Sequence, residues 1–263
     1  MRLAVRNQAS RKPHAHAKPW AWHSVLVLAV LLPLAPARAE TPQTAAVILL
    51  GPRQAQAAPE RHGFTHTGAG NIEVTQPAPN TVVVTMTGAA MAGPHPCQDS
   101  SASIPFSLDQ AFEVFFPDSK IKRGKLVVEA RVAGVLRSHS AYHCPNATGS
   151  AEVSAARAEI FASGAEVASI ELTPHAVAGN DLAINDRVGP VEAAIVPGKY
   201  VFRQMFAIAA AHPERKLPAS SASAEFAPEA ALDPMWLGLR DPFHAAVKKN
   251  YGFQVIIKVV AEP

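Results

Sequence analysis

The sequence predicts an antiparallel, mainly β body, and three observations lead there. Short β-branched and aromatic runs recur from residue 71 to the C-terminus. Proline, glycine and asparagine punctuate the gaps between them. A full set of helix signals occurs over one short segment only, residues 241–250.

The first segment is not expected to belong to that body. Arg2, Arg6, Arg11, Lys12 and Lys18 precede the apolar run Val25 to Leu34, the layout of a secretory signal. The run contains Pro33 and falls short of the ~20 apolar residues that a membrane helix needs, so cleavage is expected and not a membrane span. Ala37-Arg38-Ala39 offers a cleavage site after Ala39, and Ala55-Gln56-Ala57 a second after Ala57. Residues 1–39 are thus read as a cleaved signal peptide. Residues 40–70, rich in Ala, Gln, Gly and Pro toward their end, are read as a flexible tether, with the apolar stretch Ala45 to Leu50 as a first β-strand or a part of that tether.

From residue 71 the strand signals run in order. Ile72 and Val74 alternate with Glu73 and Thr75, Pro77, Pro79 and Asn80 form a turn, and Thr81 to Thr87 is β-branched nearly throughout. Ile104 to Leu108 and Ala111 to Phe116 follow. In Lys125 to Leu136 the residues Leu126, Val128, Ala130 and Val132 share one side. Residues 153–162 fit helical spacing at Val153, Ala156 and Ile160 but also alternate as a strand. The strand reading is preferred, because Ser163-Gly164 and the run Glu166 to Leu172 supply a hairpin partner. Pro197-Gly198-Lys199-Tyr200 opens the strand Tyr200 to Phe206. This stretch resembles the turn-then-tyrosine motif of sandwich domains, which implies a tyrosine hydroxyl bonded back to the backbone at the corner. A weak strand is expected over Ser221 to Phe226. Asp241 as cap, Pro242 in the first turn and Lys248-Lys249 at the end predict a short helix through Asn250. Phe253 to Val260 closes the chain as a strand.

The expected fold is therefore an antiparallel β-sandwich, immunoglobulin-like or jelly-roll-like, with one short C-terminal helix before the last strand. A single domain over 71–263 is expected, the alternative being two small β domains split near residue 149.

The chain carries 24 Lys+Arg and 21 Asp+Glu in 263 residues. The 39-residue leader holds six of the basic residues and no acidic one, which leaves 18 against 21, a balance of −3 over 224 residues. That length can bury a core without a metal or a cross-link. Its densest basic cluster, Lys120, Lys122, Arg123 and Lys125, suits a solvated turn better than a phosphate-binding face, so no nucleic-acid partner is expected. Trp236 is the one tryptophan beyond the leader, and scarce aromatics count against a sugar-stacking platform.

Two cysteines in an exported chain are expected to pair, joining Cys97 to Cys144. The bond would close a loop of 47 positions, worth roughly 4 kcal/mol by chain entropy before native strain is subtracted. Both lie in proline-containing segments, Pro94-His95-Pro96-Cys97 and Cys144-Pro145, so the bond would tie loops at one end of the sandwich. The alternative is a soft metal site drawn from His95, His139 and His143, with the two cysteines and with Met86 and Met91 near in sequence. No nucleophile elbow, His-Glu-x-x-His pair, Walker loop or dinucleotide fingerprint is present. Asn180-Asp181 and Asn185-Asp186 are read as turn formers ahead of calcium ligands.

These readings lead to an exported, secreted or periplasmic, non-catalytic binding or structural module. No catalytic residue and no cofactor is expected, and the partner is an unknown protein or small ligand. The alternatives are a periplasmic metal-binding protein and a carbohydrate-active or hydrolytic protein without a recognisable motif.

Overall fold

A computed structural model describes residues 45–63, 65–67, 70–92, 100–139, 149–212, 221–227 and 252–262. The described strands are β1 (Ala46–Ala57), β2 (Glu60–His62), β3 (Thr65–Thr67), β4 (Asn71–Ala78), β5 (Thr81–Ala92), β6 (Ser100–Phe115) and β7 (Arg123–His139), then β8 (Ser150–Ala162), β9 (Ala165–Glu171), β10 (His175–Ala178), β11 (Leu182–Ile195), β12 (Gly198–His212), β13 (Ser221–Phe226) and β14 (Gly252–Glu262). They form two antiparallel sheets. In sheet A the order is β1, β6, β12, β8, β10, with β2 continuing beside β6 and β9 beside β8. In sheet B it is β11, β7, then β13 and β14 in one column, then β5, with β3 and β4 along the far edge.

Strand periodicity explains the core. Alternate residues of each strand turn inward, and those of both sheets enter one apolar cluster. Leu126, Val128, Ala130 and Val132 of β7 are all buried, as the alternation predicts. At the centre, Phe206 of sheet A lies 5.5 Å from Phe106, 5.5 Å from Phe226 and 5.6 Å from Phe253, the last two from sheet B. Gln204, one inward position from Phe206, is the exception in this apolar layer. It is fully buried and its Nε2 reaches across to the carbonyl of Phe253 at 3.3 Å.

Several local expectations meet their physical cause here. The hairpin of β8 and β9 turns on Ser163 and Gly164, with φ of 50° and 82°. Positive φ at both central residues is the mirror-image turn that matches strand twist. Tyr200 donates its hydroxyl to the carbonyl of Val196 at 2.7 Å and accepts from the Val196 N–H at 3.1 Å, which closes the turn before β12.

Other expectations need correction. The tether expected over 40–70 instead contributes β1, which pairs with β6 from Ala46 opposite Phe115 to Ala57 opposite Phe106. Val47, turned inward and buried, anchors it, while a bulge at Gly51-Pro52-Arg53 breaks its periodicity. The two strands expected at 104–108 and 111–116 are one, β6. Its Pro105 is tolerated because the edge it presents to β1 and β2 falls where those two strands are interrupted, at Ala58 and Pro59. Asn185 and Asp186 lie within β11, not in a loop. Strands from both sides of residue 149 pair with each other in both sheets, so the alternative split there is not followed. No helix occurs among the described residues, and the short helix expected at 241–250 lies outside them.

Candidate functional site

Cys97, Cys144, His95 and His143 lie outside the described residues, and His139 is the last residue of β7. The strand ends flanking the two cysteine segments are well placed relative to each other. In sheet B, Ala92 and Ser138 are both paired with Ala222, so β5 and β7 end two strand spacings apart, about 10 Å. In sheet A, Ser100 and Ser150 stand on either side of β12, opposite His212 and Ala211. The strand ends Ala92 and Ser138 in sheet B, and Ser100 and Ser150 in sheet A, are thus each two strands apart. Met86 and Met91 are buried, Met86 within the apolar cluster. No group of three or more His, Cys, Asp or Glu side chains able to hold a metal converges among the described residues.

The same end of sheet B carries a buried polar network. Arg137 pairs with Asp181 at 3.2 Å and with Glu225 at 3.3 Å. Glu225 also accepts from Ser223 Oγ at 2.7 Å, and Asp181 accepts from the Ser138 N–H at 3.2 Å. Ser138 Oγ donates to the Gly149 carbonyl and accepts from the Gly179 N–H. One guanidinium and several hydrogen-bond donors thus hold two carboxylates together. Asp186, for its part, faces His175, with the side chains 2.5 Å apart. Asp181 and Asp186 thus each have a side-chain partner within the protein.

The outer face of sheet A has a different composition. Register places Leu50, Ala111, Val201 and Phe161 in one row across four strands. This row floors an open depression of about 610 Å³, also lined by Ser163, Gly164, Lys199, Tyr200 and Arg203. Toward one end of the strands lie Ile48, opposite Glu113, and Phe115, 49% and 51% exposed, and Val201 itself is 40% exposed. Toward the other end runs a charged row, Asp109, Arg203 and Glu159. Arg203 donates Nε–H to Asp109 at 2.9 Å and holds its guanidinium 5.5 Å from the Phe161 ring centre. Asp109 raises the Arg203 pKa above its ordinary value, first by that hydrogen bond and then by Coulombic attraction, so the cation is permanent.

Contiguous apolar side chains on a solvent face mark contact surfaces more often than chance exposure. Lys199 and Arg203 flank Val201 along β12, Lys199 opposite Glu113 and Arg203 paired with Asp109. Sequence reading placed Tyr200 to Phe206 in a buried strand and missed its outward side. The signal was present: Val201, Arg203 and Met205 alternate with the inward Tyr200, Phe202, Gln204 and Phe206.

No family model, no curated protein and no solved structure matches this chain.

Proposed function

We propose that this protein is an exported, non-catalytic β-sandwich that binds an amphiphilic anion, an apolar chain or ring with an acidic group, on the outer face of sheet A. The observation that carries the reading is the solvent-facing apolar row Leu50, Ala111, Val201 and Phe161, with Lys199 and Arg203 on either side of Val201 along β12. The shared core supports the sandwich. So does the chain path, which crosses between the sheets at most connections, as in jelly-roll folds. The leader Arg2 to Leu34 supports export, and strand ends two strands apart around residues 93–99 and 140–148 support a Cys97–Cys144 disulfide tying two loops.

The probe for the apolar face is anilinonaphthalene sulfonate, an aromatic anion that fluoresces when bound to apolar surface. Saturable binding to the native protein is expected, weakened about tenfold or more by Val201→Glu and by Lys199→Glu. Both positions are exposed, so the thermal midpoint should hold in each variant. Binding that ignores both changes would overturn the reading. N-terminal sequencing of the exported protein tests the leader, and intact mass before and after reduction tests the disulfide.

A further inference from the structure

Strands β13 and β14 are two parts of one strand line. Beside β5, Phe226 stands opposite Gly88 and Phe253 opposite Met86; beside β7, Glu225 stands opposite Val135 and Gly252 opposite Ala133. The chain therefore leaves the line after Phe226 and rejoins it at the next rung, with residues 227–251 between. Within the plane of the sheet β5 and β7 occupy both sides of this rung, and the aromatic rings of Phe206, Phe226 and Phe253 fill the inner side. The outer face of sheet B is the way out.

That face changes character at the same rung. Toward Val260, outward side chains reach water: Val260 is 40% exposed, Lys258 is exposed, and Gln254, Ile256, Glu129 and Arg131 are half-buried. Toward Ser221 they do not. Outward Ala133 and Val135 of β7, Ser223 and Glu225 of β13, and Ala89 and Met91 of β5 are all buried, at 6% exposure or less. The four apolar ones stand outside the cluster between the sheets, because they face away from sheet A. Outward side chains lose their water only under a further layer, and every described strand belongs to one of the two sheets.

We propose that residues 227–251 dock on this face as a third layer, over Ala89, Met91, Ala133, Val135 and the Arg137–Glu225 ion pair. Both ends of the segment emerge beside that floor, whereas residues 93–99, 140–148 and 213–220 each lead from one sheet to the other. Composition fits as well. Leu232, Trp236, Leu237, Leu239, Phe243 and Val247 supply large apolar side chains, and a floor built mostly of alanine and valine leaves room for them. The charges on the floor are already paired, Arg137 with Glu225 and Asp181, so an apolar cover leaves no bare ion beneath it. This surface shares no residue with the depression on sheet A and does not depend on it.

Three methionines read the test, which is peroxide oxidation followed by peptide mass. Met86 lies in the core, Met205 is 36% exposed on sheet A, and Met91 lies on the proposed floor. In the intact protein Met205 should oxidise at least about tenfold faster than Met91 and Met86. The register lets Phe226 join Gly252 directly, so a variant lacking residues 227–251 should keep the sandwich. In it Met91 should oxidise about tenfold faster or more, with Met86 still protected. The proposal is overturned if Met91 of the intact protein oxidises as fast as Met205, or if Met91 stays protected in the folded deletion variant. Oxidation of Met86 would show that the deletion has unfolded, and Trp236→Ser combined with Phe243→Ser then replaces it, with every strand residue left in place. There Met91 oxidation should rise about threefold or more with Met86 protected, and an unchanged rate overturns the proposal.

Discussion

Gln204→Leu asks what joins the two sheets at their centre. Gln204 is 0% exposed, and its Oε1 has no hydrogen-bond partner among the described residues. Its Nε2 makes one long bond, 3.3 Å, to the Phe253 carbonyl of the opposite sheet. Losing a buried neutral hydrogen bond of this kind costs about 1 kcal/mol, and at that length the lower half of the range applies. An unsatisfied buried carbonyl costs about 1–3 kcal/mol, which leucine removes at nearly constant volume among Phe206, Phe253 and their neighbours. The difference predicts a net stabilisation of about 1 kcal/mol, or about 2–4 °C in the unfolding midpoint for a body of this size. Urea unfolding should show a higher midpoint at unchanged slope. A midpoint lowered by the equivalent of 1 kcal/mol or more would refute the reasoning and make the amide a net tie between sheets.

Four further changes probe separate contacts. Tyr200→Phe removes both bonds to Val196 and should cost about 1–2 kcal/mol in chemical unfolding, because the Val196 groups lose a close partner at the corner. Gly134→Ala should cost about 3 kcal/mol or abolish folding, read by thermal melts. A Cβ there would sit 2.3 Å from the Phe226 ring and 2.6 Å from the Glu225 carbonyl, and the backbone cannot yield as a flexible side chain would. Arg137→Met removes the cation shared by Asp181 and Glu225 in a partly buried setting, where other donors remain, and should cost about 1–3 kcal/mol by urea unfolding. Glu192 raises the pKa of Lys125 above 10.5, by hydrogen bond and then Coulombic attraction, with Glu262 adding to it. The stabilisation from these pairs is therefore full below pH 10.5 and lost as pH rises through the raised value. An NMR titration of the Lys125 ammonium should show its midpoint fall back toward 10.5 in Glu192→Gln.

Where each residue's environment is decided by its near neighbours in sequence, the fold was readable. The β-branched run 81–87, the alternation in 125–132, the Ser163-Gly164 turn and the Tyr200 corner are all local choices of period, φ or hydroxyl reach. The misreadings share a cause. β1 carries a bulge at Gly51-Pro52-Arg53, which inserts two extra positions between inward Leu49 and Ala55, and residues 51–56 are all exposed, so little apolar period marks the strand. In β11, likewise, the pairing shifts between Val188 and Val191, and Asn185-Asp186 looks like loop chemistry until Asp186 meets His175 and Asn185 meets Arg131. Long-range partners override local turn preference in both places.

The binding faces were less legible than the strands for a reason that follows from sheet geometry. A sequence shows which residues of a strand alternate, but a surface row is composed across strands, and register decides its members. Val201 meets Ala111 and Phe161 only because β12 runs between β6 and β8 in the observed register. A slip of one residue would replace Val201 in that row by Lys199-side or Arg203-side neighbours of the opposite facing and scatter the apolar surface. The Arg131–Arg187 pairing obeys the same rule, its members standing 56 positions apart in sequence, and no local pattern marks either arginine as one of a pair. The proposed contact face on sheet A therefore tests register as much as chemistry. If Val201→Glu weakens binding of the anion while Val260→Glu, exposed on sheet B, leaves it unchanged, the row is assembled as the strand pairing requires.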